Sequence, residues 1–463
     1  MFITELLLVA ILLSLLMLYL LRQFWFRSHY PSGWLPLPAT GSLWKAGIRL
    51  YQETLSKQMK EQSGTSKTSV TPYSSIFNDD GGELLKQQKE IGQLILLKHE
   101  KEKKGKEKKG VESLVEEEAP RLVETFARVN GQPFDPLNAI IASLCKMVWT
   151  VSFSDRSPLE EKDSQQLTDA IESAVKSGGS FVYALHKQFS WLMKYFPGPQ
   201  KNALSSKELV LSFTKKMIQK HKEAKAMKEP QDFTDFYLSQ MEKSKGGQNT
   251  IYNEENLAEC IFNFLISSAE STAITLQWAL LLMASHPDVQ DKVHKEIEKV
   301  LGSSNAISHQ DWKKLPYTSA VIHEIQRTKE AFLFRIIKQC TKDMNIFGFL
   351  APKGTFINPD LNSVLLDPKL WETPEKFNPS HFLDKDGQFV AKKEFQLLTG
   401  ESDGSLEDKL ARAASFTFFI NLLKIFVFKL PEGEKKTSEK TRIGLTTCPH
   451  SYKICAVPHH KTS

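Results

Sequence analysis

The stretch YTSAVIHEIQR, residues Tyr317–Arg327, carries a glutamate and an arginine three residues apart. In an α-helix this spacing places Glu324 and Arg327 on one face, so that the carboxylate and the guanidinium can pair. Such a pair is weak evidence alone, because most pairs of this kind are surface salt bridges. Its significance depends on the segments around it.

Three segments follow the pair in order, namely PKGT at Pro352–Thr355, DPKLWETPEKFNPSHFL at Asp367–Leu383 and RIGLTTCPHSYKICAVP at Arg442–Pro458. Upstream, the mostly apolar run Leu257–Ser285 predicts a long helix that crosses the core and ends at the following His-Pro-Asp. Beyond Lys338 the pattern changes to short strand-like pieces with a Pro-Lys-Gly turn. The sequence therefore predicts a mainly α-helical protein with a small β-region.

Composition limits the class of protein. The 463 residues are 41% hydrophobic and 25% charged, which allows a large globular core. The formal charge of +6 fits a protein beside an anionic membrane better than one that wraps nucleic acid, and no nucleic-acid motif occurs. The scattered cysteines predict buried free thiols in a reducing compartment. They are Cys145, Cys260, Cys340, Cys448 and Cys455.

The N-terminus predicts a membrane anchor. An apolar run at Leu6–Leu21 is followed by the basic and aromatic RQFWFR at Arg22–Arg27, so residues 1–27 are interpreted as an uncleaved transmembrane helix. Arginines on the cytoplasmic side leave the body facing the cytosol. Residues 28–42 contain several prolines and predict a stiff hinge, and residues 43–463 form the main domain.

Together these motifs resemble the cytochrome P-450 haem-thiolate monooxygenases, and specifically the microsomal family two that oxidises drugs and fatty acids. The hinge PSGWLPLPATGS at Pro31–Ser42 and GQPFDP at Gly131–Pro136 resemble the same branch. The resemblance implies a helical prism with a small β-region and a haem between a long distal helix and a proximal helix. It also implies an endoplasmic-reticulum membrane location, apolar substrates and cytochrome P-450 reductase as partner.

The resemblance assigns roles to individual residues. Glu324 and Arg327 match the family's structural helix pair, and Glu375, Phe377 and Pro379 fall in the segment whose basic residue completes the family's ionic cluster. On the long helix, the A-G-x-E-T oxygen-activation pattern aligns with Ser267–Ser271. Glu270, Ser271 and Thr272 are then a candidate distal proton relay. The alternative is a polar helix face inside a bundle.

Haem contacts are only partly retained in this register. GGELLKQQKE, residues Gly81–Glu90, resembles the family's G-E-x-W-K-x-x-R helix, which places Leu85 at the propionate-binding tryptophan and Lys89 at the arginine. Lys338 matches a basic haem contact after the helix pair. Lys89 and Lys338 are therefore candidate propionate ligands.

The haem loop departs from the family's F-x-x-G-x-R-x-C-x-G. The helix LARAASFTFFINLL fixes the register at Leu410, which places Ser405 at the cysteine that ligates iron. The other signature positions are also changed, to Leu398, Glu401, Asp403 and Glu407. A neutral hydroxyl cannot replace a thiolate that favours O–O cleavage. Asp403 would repel a propionate, and the two glutamates lack the conformational freedom of glycine.

Two further segments leave alternatives open. Residues 64–78 are too few for the family's first strands and second helix, which predicts a deletion that truncates the β-region. The mainly basic run Lys98–Gly110 is either a solvated surface segment or a contact for an acidic partner or lipid.

Three functional hypotheses follow. The first is an active haem monooxygenase with an unorthodox iron ligand. The second is a membrane-anchored pseudoenzyme that binds an apolar small molecule or a partner, since such binding needs a pocket and not a thiolate. The third is a poorly folding product of a decaying gene. The sequence favours a protein descended from oxidative enzymes that is inactive as a monooxygenase.

Overall fold

Helices form most of the computed structural model of this chain. The structure describes residues 17, 70–72, 81–103, 111–154, 161–178, 199–223, 229–244, 252–302, 307–329, 338–340, 343–346, 349–353, 356–357, 364–392, 395, 405–433, 441–443 and 447–459. Of the anchor and hinge predicted for residues 1–42, Met17 alone falls within these ranges, in helical conformation. Both predictions otherwise lie outside the described residues.

The chain divides into two compact units, residues 1–73 with 335–364 and residues 74–334 with 365–463. The larger unit contains the described helices α1 Gly81–Lys103, α2 Glu112–Arg128, α3 Leu137–Phe153, α4 Glu161–Gly178, α5 Pro199–Glu223, α6 Phe233–Ser244, α7 Glu254–Ser285, α8 Pro287–Leu301, α9 Pro316–Lys329 and α10 Leu406–Ile425. Short 3₁₀ helices span His309–Lys314 and Pro379–Phe382. This content confirms the predicted mainly α class.

The core of the larger unit lies where α2, α3, α7 and α10 pack against one another. α7 is the long core helix expected from the sequence. The Asn253 side chain accepts a hydrogen bond from the Asn256 N–H and so caps its first turn. His286 ends α7 and Pro287 begins α8, as the His-Pro-Asp signal predicts.

Short C-terminal strands complete the larger unit. β6 Phe426–Lys429 continues directly from α10 and pairs antiparallel with β9 Cys455–Pro458, while β7 Thr441–Ile443 pairs with β8 Thr447–Pro449. Gln290 on α8 joins helix to strand: its Nε2 donates to the Phe428 carbonyl at 3.0 Å and its Oε1 accepts from the Phe428 N–H at 2.7 Å.

The smaller unit is a β-region. An antiparallel sheet has the order β1 Val70–Pro72, β2 Lys338–Cys340 and β5 Phe356–Ile357, and β3 Met344–Ile346 pairs with β4 Phe349–Ala351. These strands agree with the small β-region predicted beyond Lys338. β1 lies inside residues 64–78, where the sequence predicts a deletion, and the rest of that segment is outside the described residues.

Among the described residues, one helix is long and apolar enough to cross a membrane. It is α7, and 88% of its most apolar window is buried inside the protein, as expected for a core helix.

Candidate functional site

The helix pair predicted from the sequence is a buried ion pair on α9. Arg327 donates from Nε to Glu324 Oε2 and from Nη2 to Oε1, both at 2.7 Å. Both side chains have no exposed surface. Two parallel charge-assisted hydrogen bonds satisfy most of the hydrogen-bonding capacity of the Glu324 carboxylate. Because of these bonds, the two charges can be buried at a tolerable cost in free energy.

The guanidinium of Arg327 also organises the following loop. It donates to the carbonyl oxygens of Leu365 at 2.7 Å, Pro374 at 2.8 Å and Lys376 at 3.2 Å. The Arg327 Cζ lies 4.8 Å from the ring centroid of the fully buried Trp371. The segment with Glu375, Phe377 and Pro379 therefore folds around this arginine.

His381 completes the cluster, although the sequence motifs did not indicate it. Its Nε2 accepts a hydrogen bond from the Thr373 backbone N–H at 3.2 Å, so the ring proton is on Nδ1, which donates to Glu324 Oε1 at 3.1 Å. The Asn378 N–H donates to the same oxygen at 2.9 Å. The signal was the place of His381 in FNPSHF, in the segment where the resemblance expects a basic residue.

The candidate relay residues occupy the middle of α7, and the surroundings of Ser271 and Thr272 differ. Ser271 is half-buried and its hydroxyl donates to the Ser267 carbonyl at 3.1 Å. Thr272 is buried, and its Oγ1, like the Ser268 Oγ one turn earlier, has no hydrogen-bond partner among the described residues. The side chain of Glu270 lies outside the described residues.

Ser405 is the N-cap of α10. Its backbone is extended, with φ −60° and ψ 162°, and its Oγ accepts a hydrogen bond from the Asp408 N–H at 3.2 Å. Glu407 and Asp408 lie in the first turn, where the helix dipole favours negative charge. Local sequence explains this start, since serine followed by acidic residues is a strong N-terminal signal.

α1 packs beside this N-terminus. The Gln88 Nε2 donates to Glu407 Oε1 at 2.6 Å, and the Tyr237 hydroxyl on α6 donates to the Gln87 Oε1 at 2.7 Å. Lys89, the candidate propionate ligand on this helix, is exposed. Lys338, the other candidate, lies on β2 in the smaller unit, and its side chain is outside the described residues.

Two buried cysteines of the core, Cys260 and Cys145, offer no ready thiolate. Cys260 on α7 is fully buried, and burial raises the pKa of its thiol, an effect that the charge of Glu407 reinforces. Burial likewise raises the pKa of Cys145 to about 12. Both thiols therefore remain protonated near neutral pH.

Haem ligation by a thiolate can be tested against these groups. At the α10 N-terminus the chain presents a hydroxyl that caps a helix and two carboxylates, Glu407 and Asp408. None of these is a soft sulfur ligand, and the carboxylates would repel propionates. The groups that the structure describes at the α10 N-terminus do not fit a thiolate-ligated haem.

Comparison with known proteins identifies the same family that the sequence motifs resemble. A sequence profile described as "Cytochrome P450" matches residues 45–456. The chain is 36% identical over 351 residues to Cytochrome P450 2J2 of Homo sapiens, covering 76% of this chain and 70% of that protein. It is 33% identical over 346 residues to Cytochrome P450 2A3 of Rattus norvegicus, covering 74% and 70%. It is 31% identical over 412 residues to Cytochrome P450 2A5 of Mus musculus, covering 88% and 82%.

Proposed function

This chain belongs to the cytochrome P450 family, with relatives in family two, and on that premise we propose that it has lost the monooxygenase reaction. The family's cofactor is haem. We propose that the chain instead persists as a membrane-associated protein that binds an apolar small molecule through its helical core.

Ser405 is the observation that carries the loss of activity. The register read from the sequence puts it at the iron ligand, and its hydroxyl is engaged as the cap of α10, accepting from the Asp408 N–H. A serine hydroxyl is neutral at physiological pH and donates far less electron density to iron than a thiolate. The preceding sequence, Glu401 to Gly404, offers no cysteine either.

The face of α7 supports the binding of an apolar ligand. Asn263, Ser267 and Ser271 recur every four residues and are partly accessible, although the helix around them is buried. Small polar side chains on an otherwise apolar helix suit a ligand that is mostly apolar and carries few polar groups. Such binding requires no iron.

The family relationship and the N-terminal sequence suggest where the chain is located. We propose that the chain sits at the endoplasmic-reticulum membrane with a single N-terminal anchor and its body in the cytosol, in line with the apolar run Leu6–Leu21. Transfer of electrons from cytochrome P-450 reductase is not part of this proposal. Glu407 and Asp408 add negative charge beside α10 and would oppose an acidic partner.

The test is an absorption spectrum of the full-length protein, produced with excess haem precursor, purified in detergent, reduced and exposed to carbon monoxide. We expect no thiolate-type Soret shift. The matched control is Ser405→Cys, produced in the same way, which supplies the missing sulfur at the same position.

The outcomes separate the hypotheses. A thiolate-type shift in the unsubstituted protein would overturn the proposal, because another sulfur would then reach iron. An unshifted Soret band would mean that a different ligand holds haem, which favours a residual haem-dependent activity. Displacement of a fluorescent apolar probe from haem-free protein would support the binding role, and failure of every apolar probe to bind would contradict it.

A further inference from the structure

The contact between α1 and the start of α10 joins the two segments that the family resemblance assigns to haem. The Gln88 side-chain amide donates to the Glu407 carboxylate at 2.6 Å, across 319 residues of sequence. The bond is partly buried and its acceptor is charged, so it is stronger than a neutral amide bond at the surface.

Glu407 is held from its own helix as well. It lies in the first turn of α10, just after the Ser405 cap, where the free N–H groups of the helix favour a carboxylate. Gln88 is 4% exposed and sits on the inner face of α1 with Ile91 and Ile95. The hydrogen bond therefore joins two groups that their own elements already orient.

Close backbone packing accompanies the hydrogen bond. Gly92 lies one turn after Gln88, and a Cβ added there would be 3.1 Å from the Cβ of Leu406. Leu406 is 1% exposed and immediately precedes Glu407. With a Cβ at this position, α1 or the first turn of α10 would have to move by a few tenths of an ångström, so the glycine permits the close approach.

α1 is also fixed on its other side. The Tyr237 hydroxyl donates to the Gln87 Oε1 at 2.7 Å, and the Tyr252 hydroxyl donates to the Glu90 Oε2 at 2.9 Å. The two tyrosine rings meet edge to face at 5.1 Å. α1 is thus anchored to α6 and to Tyr252, two residues before α7, while it contacts α10.

We infer that Gln88, Gly92, Leu406 and Glu407 form a latch that holds α1 against the start of α10. In this latch a hydrogen bond and a close helix contact join two segments that are 319 residues apart in the sequence. The inference goes beyond the proposed function because it concerns how the protein itself is held together, and its test does not measure iron or ligand.

The test is a double-mutant cycle on the haem-free, full-length protein in detergent, with Gln88→Ala, Glu407→Ala and the double variant. Equilibrium unfolding gives the coupling between the two side chains, and the cycle cancels the separate loss of helix-dipole stabilisation at Glu407. We expect a coupling equivalent to about a tenfold change in the folding equilibrium constant. Hydrogen exchange at the Lys409 and Leu410 amides should accelerate in either single variant.

The exposed pair Gln219 and Glu223 on α5 provides the matched control, because its amide also donates to a carboxylate, at 2.9 Å. The same cycle there should give less than about a twofold coupling. Additive effects of Gln88→Ala and Glu407→Ala, with exchange at the start of α10 unchanged, would overturn the latch. That result would leave the spectroscopic test of the proposed function untouched, so the two can fail separately.

Discussion

Arg327 is bound to Glu324 by two parallel hydrogen bonds, Nε to Oε2 and Nη2 to Oε1, each 2.7 Å long and wholly buried. The same guanidinium donates to three backbone carbonyls of the following loop. These five contacts require the planar fork of an arginine, since a lysine ammonium has only three donors. The pair therefore positions a loop as well as neutralising charge.

Arg327→Lys is expected to destabilise the larger unit strongly. The lysine cannot satisfy both carboxylate oxygens and the carbonyls of Leu365 and Pro374, so a buried charge and buried acceptors lose their partners. We expect the free energy of unfolding to fall by about 3–5 kcal/mol. Chemical denaturation followed by circular dichroism measures it.

Arg128→Lys is the matched control, because Arg128 also pairs with a glutamate, Glu124, at 2.8 Å on a helix. Both of these side chains are mostly exposed, so the substitution should change stability by less than about 0.5 kcal/mol. An equally small effect at Arg327 would show that the buried cluster does not hold the loop.

The stability of the protein should fall in mild acid because of His323. This ring packs among the aromatic side chains of Phe382, Phe389 and Phe395. Desolvation lowers its pKa to about 4, while the hydrogen bond from Nδ1 to the Ser319 carbonyl opposes the shift. In the unfolded chain the ordinary pKa is near 6.5, so the unfolded state alone takes up the proton between pH 6.5 and 4. The contribution of His323 to the free energy of unfolding is fully present above pH 6.5. It should decline by roughly 3 kcal/mol as the pH falls to 4.

His323→Gln isolates this contribution, because glutamine can still donate to Ser319 but does not titrate. Unfolding free energies measured from pH 4 to 7.5 should fall less steeply in the variant than in the unsubstituted protein. Parallel curves for the two proteins would assign the acid sensitivity to other groups.

The sequence predicted the elements with strong local signals and missed contacts made by distant residues. α7, its end at His286 and the pairing of Glu324 with Arg327 follow from helical period, a proline signal and three-residue spacing. The Gln88–Glu407 bond could not be foreseen, because nothing local in either segment encodes a partner 319 residues away. His381 lies between these cases: its segment was identified, but its bond to Glu324 depends on the fold of the loop.

Ser405→Ala is expected to act on the helix and not on a metal. The alanine removes the acceptor for the Asp408 N–H, so the free energy of unfolding should fall by about 1 kcal/mol. Ser405→Asp keeps an acceptor at the N-cap and should restore most of that loss. Both variants should show the same absorption spectrum as the unsubstituted protein after growth with haem precursor, and a change in the Soret region of either would implicate Ser405 as an iron ligand.

Gly92→Ala distinguishes a packed helix contact from an open one by the sign of its effect. In an exposed helix this substitution stabilises by about 0.5–1 kcal/mol, because alanine restricts the unfolded chain. At Gly92 the new methyl group would lie 3.1 Å from the Cβ of Leu406, an atom that cannot move without shifting the first turn of α10. We therefore expect Gly92→Ala to destabilise the protein by about 1–3 kcal/mol, as overpacking does elsewhere. Leu406→Ala leaves that Cβ in place, so it should not relieve the clash. Thermal unfolding of both single variants and of the double variant measures this directly, and a rise in melting temperature for Gly92→Ala would mean that α1 and α10 are not in close contact.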